Sequence, residues 1–177
     1  ERIPGVNYVI DNRDKAKVLD VLEDRASVDF LNEETTESGG IFDLSIDRFE
    51  GHTRAFLKVE DGCDLNCSFC IIPEVRGGVV SRELKDSVRE AKRLVENGHK
   101  EIVVTGIHVG AFGKGFAYDL ADLFDEMAAI DGLERIRLSS IEANELTENL
   151  LNRFSANPKL VPHFHLPLQA GCDEVLK

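Results

Sequence analysis

The spacing of hydrophobic residues alternates between strand-like and helix-like from residue 53 to the end of the chain. Helical spacing predicts helices over about 84–96, after the N-cap residue Asp119, and from Thr147 to Pro158. Short apolar runs predict strands at Ala55–Glu60, Glu101–Thr105, Arg135–Ser139 and His163–Leu168. This order is typical of an α/β fold with a parallel sheet, whose functional residues follow the carboxyl ends of the strands. Because so few strands cannot close a barrel, we expect an open, partial (βα) barrel.

Residues 1–50 predict the β-α tail of another α/β domain, followed by a linker. A strand is predicted over residues 6–10, and Asn12 is placed to cap a helix over about 13–23. The residues of that helix expected to face inward are Val18, Leu19 and Leu22. The acidic, turn-rich stretch that continues to residue 50 has no sustained period and predicts a linker. A core domain then follows over residues 51–177.

Composition limits the class of protein. The chain has 177 residues, 42% of them hydrophobic, which suffices for one main core. Its formal net charge of −12 would repel polyanions, so any RNA contact should be local or made elsewhere. The sequence has no apolar run of membrane-spanning length and no secretory signal pattern, which favours a cytoplasmic location. Because the chain lacks an initial Met and stops where a helical pattern begins, we expect it to be a fragment.

The strongest chemical signal is a C-x3-C-x2-C loop that directly follows the first strand of the core. Three of the four cysteines, Cys63, Cys67 and Cys70, fall within it, an arrangement that suits a metal better than pairwise disulfides. Iron–sulfur clusters prefer thiolate ligands, and a four-iron cluster held by three of them keeps one iron open. A structural zinc site is the alternative, and it would need a fourth ligand. The candidates His108, His163, His165 and Cys172 show no paired zinc-ligand spacing.

A second glycine-rich loop follows the strand that ends at Thr105. Its glycines suggest a nucleotide-binding loop, but Lys114 is followed by Gly115 where a phosphate-binding loop requires Ser or Thr. The G-x4-G spacing before the lysine is also missing, because His108 occupies that position. The sequence therefore gives no support for a phosphate-binding loop.

The cysteine loop, with Phe69 before its last cysteine, resembles that of radical S-adenosylmethionine enzymes. Further segments over about residues 53–177 resemble the methylthiotransferase branch, and most of all the enzymes that modify N6-threonylcarbamoyladenosine in tRNA. These segments are Cys70-Ile71-Ile72-Pro73, Arg76-Gly77, Ser81-Arg82, Thr105-Gly106-Ile107-His108, Arg137-Leu138-Ser139-Ser140-Ile141-Glu142 and His165-Leu166-Pro167-Leu168-Gln169. The departures from the family pattern are Glu74-Val75, Ala170 and Cys172, the last being either a core exchange for Ser or a thiol near the substrate.

The resemblance implies a set of site residues. Cys63, Cys67 and Cys70 would bind a [4Fe-4S] cluster whose open iron chelates S-adenosylmethionine. The residues that would contact this cofactor are Phe69, Thr105, Gly106, Ser139, Ser140, Glu142, His165 and Gln169. Arg76 and Arg82 would meet substrate phosphate. Because the cofactor carries the chemistry, no side chain is assigned as a catalytic acid or base.

Each of these assignments has a simpler alternative that the sequence leaves open. Thr105 and Gly106 also fit an ordinary turn, and the segment from Ser139 to Glu142 fits a solvated loop. His165 and Phe69 fit core packing. The two arginines fit surface ion pairs.

The resemblance also implies the reaction, a radical-dependent 2-methylthiolation of N6-threonylcarbamoyladenosine in tRNA. Its partners would be tRNA, held mainly by missing domains, and an electron donor such as flavodoxin or ferredoxin. A second [4Fe-4S] cluster is expected in a missing N-terminal region, so the fragment alone is not expected to complete the reaction. The alternatives are a related enzyme acting on another tRNA adenosine or a ribosomal protein, and a zinc-stabilised binding module without catalysis.

Overall fold

A computed structural model describes residues 4–6, 8–22, 40–42 and 45–176 of the chain. The chain separates into two compact units, residues 1–45 and residues 46–177. In the first unit, a 3-10 helix over Asn12–Lys17 leads into helix α1, Val18–Leu22. The second unit contains all the strands of the described chain.

The first unit corrects two predictions. Among its described residues, Val6 and residues 8–10 form no strand, because no neighbouring strand in the described chain receives their hydrogen bonds. The predicted helix is present, but Leu19 is 53% exposed and Leu22 is 76% exposed, so the expectation that its apolar side chains face inward is wrong. Most of the predicted linker, residues 23–39 and 43–44, lies outside the described residues.

The second unit alternates strands and helices, as the hydrophobic pattern predicts. Its strands are β1 (Arg54–Lys58), β2 (Glu60–Asp61), β3 (Val80–Ser81), β4 (Glu101–Thr105) and β5 (Arg135–Leu138). Its helices are α2 (Ile72–Arg76), α3 (Leu84–Glu96), α4 (Leu120–Ala128), α5 (Glu148–Ala156) and α6 (Asp173–Leu176), with 3-10 helices at Val109–Ala111 and Ala143–Glu145. The predicted helix over 84–96 and the strand Glu101–Thr105 are confirmed to the residue.

A parallel sheet of order β1-β4-β5 organises the second unit. Ala55 of β1 pairs with Ile102 of β4, which pairs with Ile136 of β5. This parallel register brings the carboxyl ends of the strands to one edge. The expected α/β architecture with an open parallel sheet is therefore confirmed.

The core lies on one face of this sheet, under α3, α4 and α5. Alternate strand residues such as Leu57, Val104 and Leu138 are buried there, because successive side chains of a strand point to opposite faces. Phe124 of α4 and Phe154 of α5 meet edge to face at 5.4 Å. On the other face Phe56 is 47% exposed, and Arg54 and Arg135 are also exposed. Leu151 of α5 points away from the core and is 41% exposed.

The predicted fourth strand, His163–Leu168, keeps one isolated parallel bridge, and a second bridge lies just before it. Leu160 pairs with Ile136, and His165 pairs with Ser140. Between the two bridges the chain advances five residues on the fourth segment, from 160 to 165, but four on the segment of β5, from 136 to 140. Pro162 also has no N–H to donate. The extra residue and the proline break the hydrogen-bond ladder. The segment nevertheless keeps its place beside β5.

The helix ends follow the residues that the sequence indicated. The Asp119 side chain accepts hydrogen bonds from the backbone N–H groups of Ala121 and Asp122. The Asp122 side chain in turn accepts one from the backbone N–H of Asp119, which completes a capping box. Thr147 caps α5 through the N–H of Leu150. Gly98, at φ +96°, ends the turn after α3 in a conformation that glycine adopts without strain.

The described helices were also compared with the length and hydrophobicity that a membrane span requires, and none of them meets both.

The substitution Asp119→Ala removes the capping box of α4. We expect it to lower the free energy of unfolding by about 1–2 kcal/mol, because two backbone N–H groups lose their acceptor. Urea unfolding followed by circular dichroism measures the change, and Glu126→Ala on the exposed side of the same helix is the control, expected within about 0.5 kcal/mol of wild type. Equal effects of the two substitutions would contradict the capping role.

Candidate functional site

The cysteine loop spans residues 62–79 and is closed at its base by the two short antiparallel strands. Glu60 of β2 pairs with Ser81 of β3, and the N–H of Arg82 donates to the carbonyl of Val59 at 2.9 Å. The loop therefore leaves and returns to the sheet at the carboxyl end of β1. This is the edge where the fold concentrates its functional groups.

The three cysteines of this loop are free thiols on its accessible side. Cys67 is exposed, whereas Cys63 and Cys70 are half-buried. The N–H of Leu65 donates to Cys63 Sγ at 3.4 Å, and the N–H of Cys70 donates to the carbonyl of Cys67 at 3.0 Å. In the described chain no group of three or more His, Cys, Asp or Glu side chains is gathered closely enough to hold a metal ion.

The electrostatics of the loop suit a cationic cluster. Burial raises the pKa of Cys63, and the nearby charges of Glu60, Cys67 and Cys70 raise it further. Ionising three thiols beside a carboxylate is unfavourable until a metal supplies positive charge, because like charges oppose each other's ionisation. The donor type and number therefore suit an iron–sulfur cluster, and binding it would have to bring the three thiols closer together.

Backbone contacts fix the start of the loop. Gly62 has φ +81°, and a Cβ atom there would overlap the carbonyl oxygen of Gly78. The N–H of Cys63 donates to the carbonyl of Gly77 at 3.1 Å. Asp64 accepts from the N–H of Val79 at 3.3 Å and forms an ion pair with Lys114. The returning segment 77–79 thus lies directly against the first cysteine.

The two arginines predicted to meet substrate phosphate each form an ion pair with a carboxylate of the protein. Arg76 Nη1 lies 3.1 Å from Oδ1 of the buried Asp61, which also pairs with Lys58. Arg82 Nη1 lies 2.5 Å from Glu90 Oε2. Asp61 also accepts from the N–H of Gly62 at 2.8 Å, so its pair with Arg76 braces the cysteine loop. The structure places both arginines in the ion pairs considered as the alternative, and any phosphate would have to compete with these carboxylates.

The end of β4 contacts the end of β1 through a buried carboxyl group. Glu60 is fully buried, and its Oε2 accepts from the N–H of His108 at 2.6 Å. Burial raises the pKa of Glu60 to about 7, the charge of Asp61 also raises it, and the N–H groups of His108 and Ile107 lower it. The Thr105 carbonyl accepts from the N–H of Val59 at 2.9 Å, which extends the sheet.

The end of β5 brings two of the predicted cofactor contacts together. Ser140 Oγ lies 2.6 Å from His165 Nδ1, and the N–H of Ile141 donates to the carbonyl of His165 at 3.1 Å. Glu142 is the N-cap of the following 3-10 helix and accepts the N–H of Glu145 in a capping box. Ser139 Oγ is buried and, within the described residues, has no hydrogen-bond partner.

The remaining predicted contacts are exposed. Phe69 is 77% exposed, so the core-packing alternative considered for it is wrong. Gln169 is exposed and has φ +64°, a left-handed conformation otherwise found only at glycines in the described chain. His165 is also exposed, which removes the core-histidine alternative.

Residues 57–177 match the Radical SAM superfamily, over the stretch that contains the cysteine loop and the strand ends just described. The chain belongs to the Radical SAM superfamily. The resemblance seen in the cysteine loop is thereby confirmed.

Curated relatives support the methylthiotransferase branch of this radical SAM superfamily. The chain is 37% identical to the threonylcarbamoyladenosine tRNA methylthiotransferase MtaB of Bacillus subtilis, across 99% of this chain and 40% of that protein. It is 44% identical to a tRNA-2-methylthio-N(6)-dimethylallyladenosine synthase of Jannaschia sp., across 70% of this chain and 27% of that protein. The chain therefore spans less than half the length of these relatives.

A solved radical SAM structure shares the fold. The methyltransferase TsrM of Kitasatospora setae, with tryptophan substrate and a S-adenosylmethionine analogue bound, superposes with a TM-score of 0.56 at 19% identity. The match covers 70% of this chain and 23% of TsrM. At this identity the likeness shows the fold, and it agrees with the partial barrel of the radical SAM type predicted from the sequence.

Sequence reasoning missed the buried carboxylates at the radical SAM site. The sequence pattern places Glu60 at the end of a predicted strand and gives no signal for Glu145. The available signal was two adjacent acidic residues, Glu60 and Asp61, directly after an apolar strand and before Gly62-Cys63. Acidic residues are seldom fully buried without partners, so that position indicated a specific contact.

The substitution Gly62→Ala should displace the cysteine loop, because its Cβ would overlap the Gly78 carbonyl. Gly77→Ala is a matched control, since Gly77 also has a positive φ but open space around it. We expect the Gly62 variant to lose most of the iron taken up on anaerobic reconstitution and the Gly77 variant to keep most of it. Equal iron content in the two variants would show that the close approach is unimportant.

The raised pKa of Glu60 predicts a pH-dependent stability. Its contribution to the free energy of unfolding is fully present below the unfolded pKa of 4.5 and is lost as the pH rises through about 7. In Glu60→Gln the loss of stability between pH 5 and pH 8 should be smaller by about 2 kcal/mol than in wild type. Urea unfolding at both pH values measures it, with Glu126→Gln as an exposed control whose pH dependence matches wild type.

Proposed function

We propose that this protein is a radical SAM methylthiotransferase that modifies C2 of N6-threonylcarbamoyladenosine in tRNA. The observation that supports it most is the C-x3-C-x2-C loop, held at the end of β1 in a chain that aligns over 99% of its length with a tRNA methylthiotransferase. Because the chain spans 40% of that relative, the proposal concerns the activity of the whole protein.

Cys63, Cys67 and Cys70 are proposed to bind a [4Fe-4S] cluster, with S-adenosylmethionine at its open iron. When bound, these groups supply one-electron chemistry that a protein side chain cannot provide. The three thiols lie on one loop, and the raised pKa of Cys63 opposes its ionisation, which a bound cation would favour. The contact between Gly62 and segment 77–79 holds the first of these ligands.

The polar groups at the strand ends are proposed to orient the cofactor. Ser139 Oγ is buried with unused hydrogen-bonding capacity among the described residues, which suits a bound hydroxyl or ammonium group. The contact of Ser140 with Nδ1 of His165 restrains the orientation of that imidazole. Gly106 leaves room for the Glu60 side chain against the end of β4, which fixes the backbone beside the proposed cofactor site.

The exposed side of the cysteine loop is proposed to face the partners. Cys67 is exposed, and Phe69 and Ile71 are 77% and 61% exposed. An electron donor such as flavodoxin or ferredoxin would reach the cluster most easily through this side. Because the chain carries a net charge of −12, tRNA would be held mainly by other parts of the protein, in the cytoplasm.

A second candidate substrate has specific support. The 44% identity to a tRNA-2-methylthio-N(6)-dimethylallyladenosine synthase makes an isoprenoid-modified tRNA adenosine the alternative to the threonylcarbamoyl form. Both candidates need the same cluster and cofactor site. They differ only in the group on N6 of the adenosine.

Cysteine variants test the cluster. The chain of residues 1–177, reconstituted anaerobically with iron and sulfide, should hold about four irons and show the broad absorption of sulfide-bridged iron. Cys63→Ala, Cys67→Ala and Cys70→Ala should each lose that absorption and the reductive cleavage of S-adenosylmethionine. The matched control Cys172→Ala, which alters the exposed cysteine outside the loop, should keep both. Uptake of a single zinc ion without iron would contradict the proposal.

Substrate tRNAs then separate the two candidates. Full-length reconstituted protein is incubated with tRNA carrying N6-threonylcarbamoyladenosine and, separately, N6-dimethylallyladenosine. Mass spectrometry of the digested nucleosides should show the methylthio product from the first tRNA. Product from the second tRNA alone would transfer the assignment to the dimethylallyl substrate.

A further inference from the structure

Two carboxylates hold the loop that follows β4 from opposite sides. Glu60 reaches it from the end of β1, and Glu145 reaches it from the 3-10 helix after β5. We call Glu60 and Glu145 the carboxylate clamp, and the segment they hold, residues 106–110, the clamped turn. Neither glutamate belongs to the segments on which the family resemblance rests.

Glu60 fixes the first half of the clamped turn. Its Oε2 accepts from the N–H of His108 at 2.6 Å, and the nearby N–H of Ile107 lowers the pKa of this carboxyl group. A Cβ atom on Gly106 would lie 2.6 Å from the same oxygen. Glycine is therefore needed at position 106 so that the carboxyl group can approach the backbone.

Glu145 fixes the second half of the clamped turn. Its Oε1 lies 2.5 Å from His108 Nε2, with both side chains mostly buried. Its Oε2 accepts from the N–H of Glu142 at 3.3 Å, which ties the clamped turn to the loop after β5. A Cβ atom on Gly110 would overlap this carboxylate. The two glycines of the clamped turn thus each leave room for one member of the clamp.

This edge of the sheet also carries hydrogen-bonding capacity that the described protein does not use. Glu60 Oε1, His108 Nδ1 and Ser139 Oγ are buried side-chain atoms without a hydrogen-bond partner in the described residues. Glu60 lies in β2, directly after β1, and the other two residues follow the ends of β4 and β5. Strands β1, β4 and β5 are neighbours in the sheet. Buried polar atoms are nearly always paired, and exceptions indicate water, an ion or a ligand. The clamped turn therefore borders a place where a polar ligand would be stabilised.

We propose that Glu60 and Glu145 are positioning residues that hold the clamped turn in the conformation that binds S-adenosylmethionine. This inference rests on the proposed function, since it requires the cofactor to bind at the strand ends. The clamp acts through the turn, by fixing the backbone of Gly106–His108 and the imidazole of His108. Without the clamp, cofactor binding would have to order the turn at a cost in affinity.

Cofactor affinity of the reconstituted full-length protein tests the clamp. Equilibrium dialysis with S-adenosylmethionine should give a Kd raised at least about tenfold in Glu60→Ala, because the backbone N–H of His108 loses its acceptor and the clamped turn loses its contact with β2. Glu60→Gln keeps an oxygen acceptor in the same place and should bind within about threefold of wild type. Glu134→Ala, a surface carboxylate beside Arg135 at the other end of the sheet, is the matched control and should bind like wild type.

Cluster content is measured on the same samples, because it separates the clamp from the cluster. If Glu60→Ala keeps its cluster and binds S-adenosylmethionine with the wild-type Kd, the proposed role of the clamp is contradicted. That result would not contradict the proposed function. Wild-type protein that holds no cluster or binds no S-adenosylmethionine contradicts the proposed function itself. The electron paramagnetic resonance signal of the reduced cluster adds a readout, since its change on cofactor addition should need about tenfold more cofactor in Glu60→Ala.

Two further variants cover the case in which Glu60→Ala loses its cluster. Glu145→Ala removes the other member of the clamp, and Gly110→Ala displaces the Glu145 carboxylate while keeping it in the chain. Both should raise the Kd for S-adenosylmethionine at least about tenfold with cluster retained. A wild-type Kd in both variants overturns the clamp.

Discussion

The concentration of negative groups at the end of β1 is the constraint on which the rest of the site depends. Two carboxylates and a thiol occur within four residues, Glu60 to Cys63, and two more thiols follow on the same loop. Each carboxylate has a compensating contact: Asp61 pairs with Lys58 and Arg76, and Glu60 accepts backbone N–H groups from the β4 loop. For the thiols, we propose that cluster iron supplies the positive charge. The loop is therefore arranged around charges that water would otherwise solvate.

These compensating contacts also connect the loops to one another. Glu60 joins β1 to the β4 loop, Asp64 joins the cysteine loop to Lys114, and Glu145 joins the β5 loop to His108. Parallel strands bring these loops to one edge, but pairing alone does not fix their conformations. The carboxyl groups of Glu60 and Glu145, which are fully and mostly buried, fix them, since each pairs with a group on a neighbouring loop that would otherwise lose its hydration. Site geometry and local stability thus depend on the same contacts.

The arginines show how these contacts alter an interpretation made from sequence. Arg76 and Arg82 follow the cysteine loop in a protein expected to act on RNA, which made phosphate binding a natural hypothesis. Their guanidinium groups instead lie against Asp61 and Glu90, which are nearly fully buried. Buried carboxylates need a donor more than phosphate does, because phosphate remains hydrated at a surface. The ion pairs of these two arginines therefore stabilise the protein structure around the site.

The sequence by itself determined the elements and the ligand type. Helices with a strong apolar face, the caps Asp119 and Thr147, and the strand Glu101–Thr105 depend on short-range periodicity and hydrogen bonding, and all were predicted. Three closely spaced cysteines likewise indicated iron–sulfur chemistry without any coordinates. Only the tertiary structure decided what meets across the strand ends. Residues 60, 108 and 145 are far apart in the chain, and their contacts arise because parallel pairing brings separate strand ends together, which local sequence patterns do not encode.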